Sequence, residues 1–479
     1  MDKLVTAGWA AVGGPDARKN ALRAAVAAGT VTLAGAQAQG SAPQVDSGDT
    51  AWILASSALV LLMTPALAFF YGGLVRGRNA LNTMMMSFIA MGVVSVLWLL
   101  AGYSLAFAPG GPLIGGLEWL GLTGVGQEPS STYMPTVPHL AFMVFQAMFA
   151  IITPALISGA VVERLKFKTY LVFIGAWSLL VYAPLAHWVW SPDGWLFKLG
   201  ALDFAGGTVV HVSAGVSALV AALLTGPRRG FPRNAFVPHN VPFALLGAGL
   251  LWFGWFGFNA GSAGGANGLA ANAFVTTSMA AAAAMTAWAI IDIFRVGKTT
   301  AVGAATGLVV GLVAVTPAAG FVTPLASLAI GAIAAGISYA AIQIRARLSF
   351  DDSLDVFSCH GLGGITGAIL TGVFATKAVN PAGSGLVDGN GGQVLTQALG
   401  VLAAAGLAAA GTVVILTVLR YAMGLRPAAQ DEETGLDIAD HGEAAYHGGE
   451  YGLGGSSVSL GSSVTLTPAG SGLRANAAD

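Results

Sequence analysis

Charge is what this chain has least of: 9% of its 479 residues are Asp, Glu, Lys or Arg, while 55% are hydrophobic. Globular domains carry about a quarter charged residues, and so poor a supply cannot cover a water-facing surface. What charge there is balances, 21 basic against 22 acidic residues for a net of −1, which leaves no broad basic face for nucleic acid. Cysteine is nearly absent: Cys359 stands alone, which excludes an internal disulfide and a multi-cysteine metal site, and its expected place is a small buried helix position. No GxxxxGK[ST] segment occurs, so a nucleotide-driven pump has no phosphate loop to work with.

What is there is apolar sequence in long runs. From residue 51 onward eleven runs are long and apolar enough to span a bilayer, which needs about 20 residues; they start near Ala51, Thr83, Val137, Lys168, Phe204, Val241, Ala271, Thr299, Pro324, Leu354 and Leu395. The expected fold is therefore all-α and polytopic. Stretches such as GAATGLVVGLV and GAIAAGISYAA are rich in small residues, which let helix backbones approach where lipid offers no hydrophobic drive to association. Before residue 51, a basic lead with Lys3, Arg18, Lys19 and Arg23 precedes an apolar run of about a dozen residues, too short to span, and then Ala36-Gln37-Ala38. This reads as a removable secretory signal over residues 1–38 and a short lead over 39–50; a mis-assigned start codon is the rival reading.

An odd number of spans puts the two ends on opposite sides. With the mature start outside, the loops expected inside hold fourteen Lys and Arg, from Arg76 to Arg426, and the outside loops hold two, Lys198 and Lys377. That bias orients the chain with residues 51–425 in the membrane and a cytoplasmic tail over 426–479. The tail is polar and acidic, and its Gly/Ser-rich end after about 447 reads as disordered linker.

Two of the seven histidines fall at depth, His211 and His360; His139 and His187 lie near outer span ends, His239 in an inner loop, and His441 and His447 in the tail. Each deep histidine follows an aspartate by eight residues, Asp203 and Asp352. Ionisable groups in a bilayer usually face a bundle interior or a conduction path. Asp203 closes the first five spans and Asp352 the next five, entering from opposite sides, as in inverted-topology repeats with a substrate path at their interface; the eleventh span is an addition. Two core histidines that merely pack helices are the alternative. Asp203 begins its helix and reads as a cap, Asp352 as its counterpart, and Asp351 and Asp355 as solvated or capping groups.

Several blocks carry a family resemblance: DTAWILASSALVLLMTPALAFFYGGLVRGRN, VFQAMFAIITPALISGAVVERLKF, YAPLAHWVW, GALDFAGGTVVHVSAG, WFGWFGFNAGSA, DDSLDVFSCHGLGGI and ETGLDIADHGEAAY. Over about residues 49 to 446 the chain resembles the ammonium transporters of the Amt/Mep/Rh family, on the Amt side. The resemblance implies an outer recruitment cup of Trp190, Phe149 and Ser262, where aromatic faces attract a small cation and a hydroxyl accepts a hydrogen bond. It implies a gate of Phe149 and Phe258, with Phe145 and Gln146 one turn from Phe149 and Trp255 in the same block as Phe258. Taken as residues alone, these aromatics read as core, lipid-facing or interfacial side chains.

His211 and His360 would then form a hydrogen-bonded pair lining the path. A neutral imidazole has one donor and one acceptor nitrogen, which suits a proton relay. For Asp203 the resemblance adds a possible proton station, and capping and that role both stay open. It further implies a homotrimer, an inner-membrane location, an ammonium or ammonia substrate, no cofactor, no resident metal and no enzymatic reaction. The tail resembles a regulatory segment on which a PII nitrogen-regulatory protein can act, although composition alone favours a plain solvated tail. The rival functions are an electroneutral ammonia or carbon dioxide channel of the Rhesus type and an ammonium sensor signalling through its tail. Alkaline phosphatase fused after Lys377 should be active and fused after Lys298 inactive; the reverse pattern would overturn the orientation.

Overall fold

In a computed structural model the described residues are 44–348 and 350–446, and those up to Ala445 form one compact unit. The expected signal segment and the stretch after 447 lie outside them. No named strand occurs among the described residues. The helices are α1 Ser47–Leu74, α2 Gly77–Phe107, α3 His139–Ala160, α4 Phe167–Leu199, α5 Gly207–Thr225, α6 Val241–Gly261, α7 Gly268–Val296, α8 Ala301–Val315, α9 Pro324–Arg345, α10 Phe357–Phe374 and α11 Gly392–Ala422. Among the described residues ten of these are long and apolar enough to cross a membrane, which makes the chain a multi-pass membrane protein.

The run expected from Thr299 behaves differently. Its helix, α8, is a shorter apolar element that stops at Val315. Thr316 caps it and Pro317 follows; a proline disfavours helical backbone in the residue before it and cannot donate to the ladder. Residues 316–322 continue as buried turns, with the Phe204 amide donating to the Pro317 carbonyl at 3.1 Å. Irregular backbone at this depth is tolerated because protein surrounds it. Thr323 then caps α9 through the Ala326 amide.

The helices approach closely where glycine allows it. Along the α1–α6 seam, a Cβ on Gly247 would stand 2.3 Å from the Phe70 amide nitrogen, and one on Gly254 2.3 Å from Met63. α7 packs against α8 and α9, and α5 against α11. Hydrogen bonds tie helices where lipid supplies no drive: Ser217 Oγ accepts from Trp177 Nε1 and from Thr412 Oγ1, both at 2.9 Å, joining α5, α4 and α11.

One end of the bundle, here the basic end, is held by an ion network. Glu163 follows α3 in the left-handed region (φ 69°) and takes Arg76 in a bidentate pair at 2.7–3.1 Å. Arg228 reaches both Glu163, at 3.5 Å, and Asp351, at 2.8 Å. The Arg164 guanidinium is fully buried and donates to the carbonyls of Gly226 at 2.6 Å and Ala160 at 2.9 Å. Asp351, expected to be solvated or capping, is thus an enclosed ion-pair partner, because the 226–240 loop folds Arg228 over it. Asp355 is paired with Arg345 at 2.6 Å.

The tail also departs from a plain solvated segment. Asp437 accepts from the Asn82 and Leu81 amides at the start of α2, at 2.7 and 3.1 Å, Asp440 from the Phe167 amide at the start of α4, at 3.2 Å, and Arg426 pairs with Glu432 at 2.7 Å. Carboxylates at helix N-termini satisfy free amides and complement the dipole.

Burial alone would push the Glu163 carboxyl up, but the hydrogen bonds and charge of Arg76, joined by Arg228, hold it below the ordinary carboxylate range. A depressed carboxyl contributes stability that is full above its unfolded value and is lost as pH falls through the folded one. Glu163→Gln should therefore cost about 3–5 kcal/mol at neutral pH, the usual result of breaking a buried pair. The gap to the unsubstituted protein should shrink as pH drops below the ordinary carboxylate value. Thermal unfolding in detergent across that range checks this; a gap independent of pH would sink it.

Candidate functional site

Asp203 sits in the short link between α4 and α5, and its carboxylate accepts four successive amides, Gly206 and Gly207 on Oδ1 and Thr208 and Val209 on Oδ2, at 2.7–3.0 Å. Asp352 does the same before α10, taking the amides of Val356 and Phe357 at 3.1 and 2.7 Å. Both helices open with a π turn, Gly207–Val212 and Phe357–Gly361, and each turn carries one deep histidine. Such turns widen the helix locally and often mark functional sites. The openings cross tightly: a Cβ on Gly215 would lie 2.2 Å from the Gly361 nitrogen, and one on Gly364 3.0 Å from the His211 Cβ. A side chain at either glycine would force the histidines apart.

His211 and His360 meet Nδ1 to Nδ1 at 3.3 Å, one ring donating and the other accepting, with centroids 5.4 Å apart and planes 27° from parallel. Both are buried, at 1% and 3% exposure. His211 Nε2 has no protein partner. The pair borders a narrow, largely apolar cavity walled by Leu67, Ile152, Trp255 and Phe258. On the basic side His360 also borders a wider cavity of about 330 Å³, which reaches Arg228, Arg345, Asp355 and Cys359.

Away from the basic end the aromatics continue the line. Phe258 lies 6.0 Å from His211, ring to ring, and 4.4 Å from Phe149, tilted by 47°. Phe149 meets Trp190 edge to face at 6.0 Å and Phe145 at 4.9 Å. Phe149 and Phe258 are 1% and 0% exposed, so water does not reach the contact between them. Trp190 is anchored by its indole N–H on the Asp203 carbonyl at 3.0 Å, which ties the cap of α5 to the aromatic cluster. Ser262 ends α6 one turn beyond Phe258, and its hydroxyl donates back to the Phe258 carbonyl at 2.9 Å, leaving the oxygen lone pairs free to accept. Gln146 lies beside Phe145 on α3, its Oε1 buried without a protein partner.

Trp255, on the same helix as Phe258, stacks on His211 at 5.4 Å and 22°. Its indole donates to Thr316 Oγ1 at 2.9 Å. Thr316 carried no sequence signal beyond its position before Pro317, since a hydroxyl in an apolar run usually bonds its own helix. The Arg164, Arg228 and Asp351 cluster was equally hidden, its members lying 64 (228 − 164) and 123 (351 − 228) residues apart. Among the described residues no three His, Cys, Asp or Glu side chains gather as a metal site would require.

Among the described residues, ten membrane-length helices around an enclosed line of rings and imidazoles define a polytopic membrane protein. Comparison with known proteins gives the family. The profile of the Ammonium Transporter Family matches residues 51–446. An ammonium transporter of Bacillus subtilis (strain 168) is 47% identical over 401 residues, covering 83% of this chain and 98% of its own. The crystal structure of Saccharomyces cerevisiae Mep2 matches with a TM-score of 0.76 at 37% identity, over 81% of this chain and 89% of its own. A solved protein described as a sensor Amt protein matches with a TM-score of 0.75 at 29% identity, over 82% and 98%. The chain belongs to the ammonium transporter family.

Asp203→Ala should leave four amides without their acceptor and lower stability by about 3 kcal/mol. Asp203→Asn, which keeps one oxygen, should lose less. Thermal unfolding in detergent measures both, and an unchanged midpoint for the alanine variant would mean that the cap is dispensable.

Proposed function

We propose that this protein is an electrogenic ammonium transporter of a cell inner membrane. It recruits ammonium outside, removes its proton at the phenylalanine gate and passes ammonia along the histidine pair while the proton follows through that pair. The observation that carries this reading is the continuous order Trp190, Phe149, Phe258, His211, His360, with the imidazoles in hydrogen-bond contact and a closed aromatic contact above them.

The chemistry follows from the parts. Trp190 and Phe149 attract a small cation by about 0.5–2 kcal/mol, more as it loses water, and Ser262 accepts one of its hydrogen bonds. A bare cation cannot cheaply pass the Phe149–Phe258 contact, because charge in an apolar constriction is many times costlier than a neutral molecule. Ammonia pays no such penalty. Among the few polar groups below the gate, the ring that donates through Nδ1 keeps a free Nε2 lone pair for a displaced proton, and its own Nδ1 proton can then pass to the other ring. Potassium shares the aromatic attraction but has no proton to shed, so the gate stops it.

The topology belongs to the same reading. The eleven-span arrangement counts α8 as the eighth crossing, completed by the buried turns over 316–322; α1–α5 and α6–α10 are inverted repeats, and α11 is additional. The basic end faces the cytoplasm, residues before 39 are a cleaved signal, three copies assemble with one path each, and the docked tail over 426–441 is the segment on which a PII protein would act. An electroneutral channel of the Rhesus type fits less well, because an aromatic cation cup has no purpose for a neutral gas. The sensor reading has one point in its favour, the similarity to a sensor Amt protein, and it too makes use of a docked tail.

In liposomes containing the protein, an ammonium jump should evoke a saturable current that sodium and potassium do not. His211→Ala should reduce it by about a hundredfold or more, the lower side of what a positioned proton-transfer group contributes. Phe149→Ala should weaken capture. Internal alkalinisation without current would indicate the neutral channel, and binding without either signal the sensor.

A further inference from the structure

We propose that Thr316 is a positioning residue for His211, acting through the indole of Trp255. The three groups come from different helices: Thr316 from the end of α8, Trp255 from α6 and His211 from the π turn of α5. The Thr316 hydroxyl spends its one proton on the Leu312 carbonyl at 2.7 Å, which fixes its lone pairs. It therefore faces Trp255 only as an acceptor, and the indole N–H meets it at 2.9 Å. Thr316 is 0% and Trp255 2% exposed, so no water replaces that bond when it is lost.

The indole has two further neighbours. One is His211, nearly parallel at 5.4 Å; the other is Phe258, also at 5.4 Å, tilted by 39°. The hydrogen bond fixes the indole's rotation, and the stacked faces transmit that rotation to the imidazole. His211 needs this. Its Nδ1 meets only another imidazole, and its Nε2 has no protein partner. Hydrogen bonds of its own therefore fix little more than one direction of the ring; the flat faces of Trp255 and Phe258 fix the rest. The Thr316 hydroxyl bonds Leu312 and Trp255 and neither histidine, so its polar effect on His211 passes through Trp255.

The activity arm of the test rests on the transport mechanism proposed above, and a second arm does not. Thr316→Val keeps the shape and removes the acceptor. Its maximal ammonium-evoked current should fall about five- to tenfold, the effect of one lost hydrogen bond on a positioned group, with the half-saturating concentration within about twofold. Thr316→Ser should restore the current. Trp255→Phe, which removes the donor and leaves Thr316 bonded to Leu312, should lose as much as Thr316→Val, and the double variant no more than either.

In the second arm, protein with 15N-labelled histidine is compared by NMR, the His211 signals being identified by their absence in His211→Ala. Thr316→Val and Trp255→Phe should move those signals in the same direction, and Thr316→Ser should return them. If the unsubstituted protein gives no current, the transport mechanism fails and the imidazole signals alone decide on Thr316. Unmoved signals with an unchanged current overturn the positioning role. So do losses that multiply in the double variant, because Thr316 would then act by a route that bypasses Trp255.

Discussion

A backbone amide or a side-chain charge left without a partner at bilayer depth costs several kcal/mol, and the two histidine-bearing helices begin at such depth. Asp203 and Asp352 meet that constraint by giving each helix end a carboxylate. Everything central hangs from these caps. They allow a helix to start inside the bundle and set the π turns that bring His211 and His360 to the crossing. Through the Asp203 carbonyl the first also holds the Trp190 indole. A cap, a helix start and an aromatic platform are thus one mechanical unit.

Between these caps the bundle encloses a line of side chains that differ in how they meet charge. In the proposed mechanism aromatic faces and a hydroxyl acceptor attract a cation, a closed ring contact rejects it, and an imidazole pair offers proton sites in a largely apolar cavity. Each step uses a different property of the same few side-chain types: the quadrupole of the ring, its bulk, and its nitrogen lone pair. In the proposed mechanism the separation of proton from ammonia follows from that order, because nothing in the narrow stretch can solvate an intact ion.

The basic end follows other rules. Arg76, Arg164 and Arg228 lie where loops return, and their charges are absorbed by Glu163, Asp351 and backbone carbonyls instead of water. Buried pairs add little net stability over apolar packing but are costly to break, so the network specifies one loop arrangement above the wide cavity. The docked tail uses the same logic at lower cost, with Asp437 and Asp440 placed on amides that α2 and α4 leave open.

The sequence by itself determined the helical membrane class, the approximate helix starts, the Asp–His spacing and, through the family resemblance, which aromatic and histidine side chains are candidates. Those properties are local or periodic: a bilayer demands long apolar runs, and a cap lies within a few residues of the helix it opens. Tertiary structure decided the rest, and it brings Trp190, Phe149, Phe258, His211 and His360 together. Pro317 ended α8 early, because neighbouring protein could enclose the irregular backbone that follows. Asp351 became an ion-pair partner, although it reads as solvated, because a loop 123 residues earlier in the chain (351 − 228) delivers Arg228 to it. Thr316 and Trp255 met because α8 and α6 pack side by side. Hydrogen bonds between distant segments follow no periodicity, and only the packed bundle determines which polar groups are enclosed together.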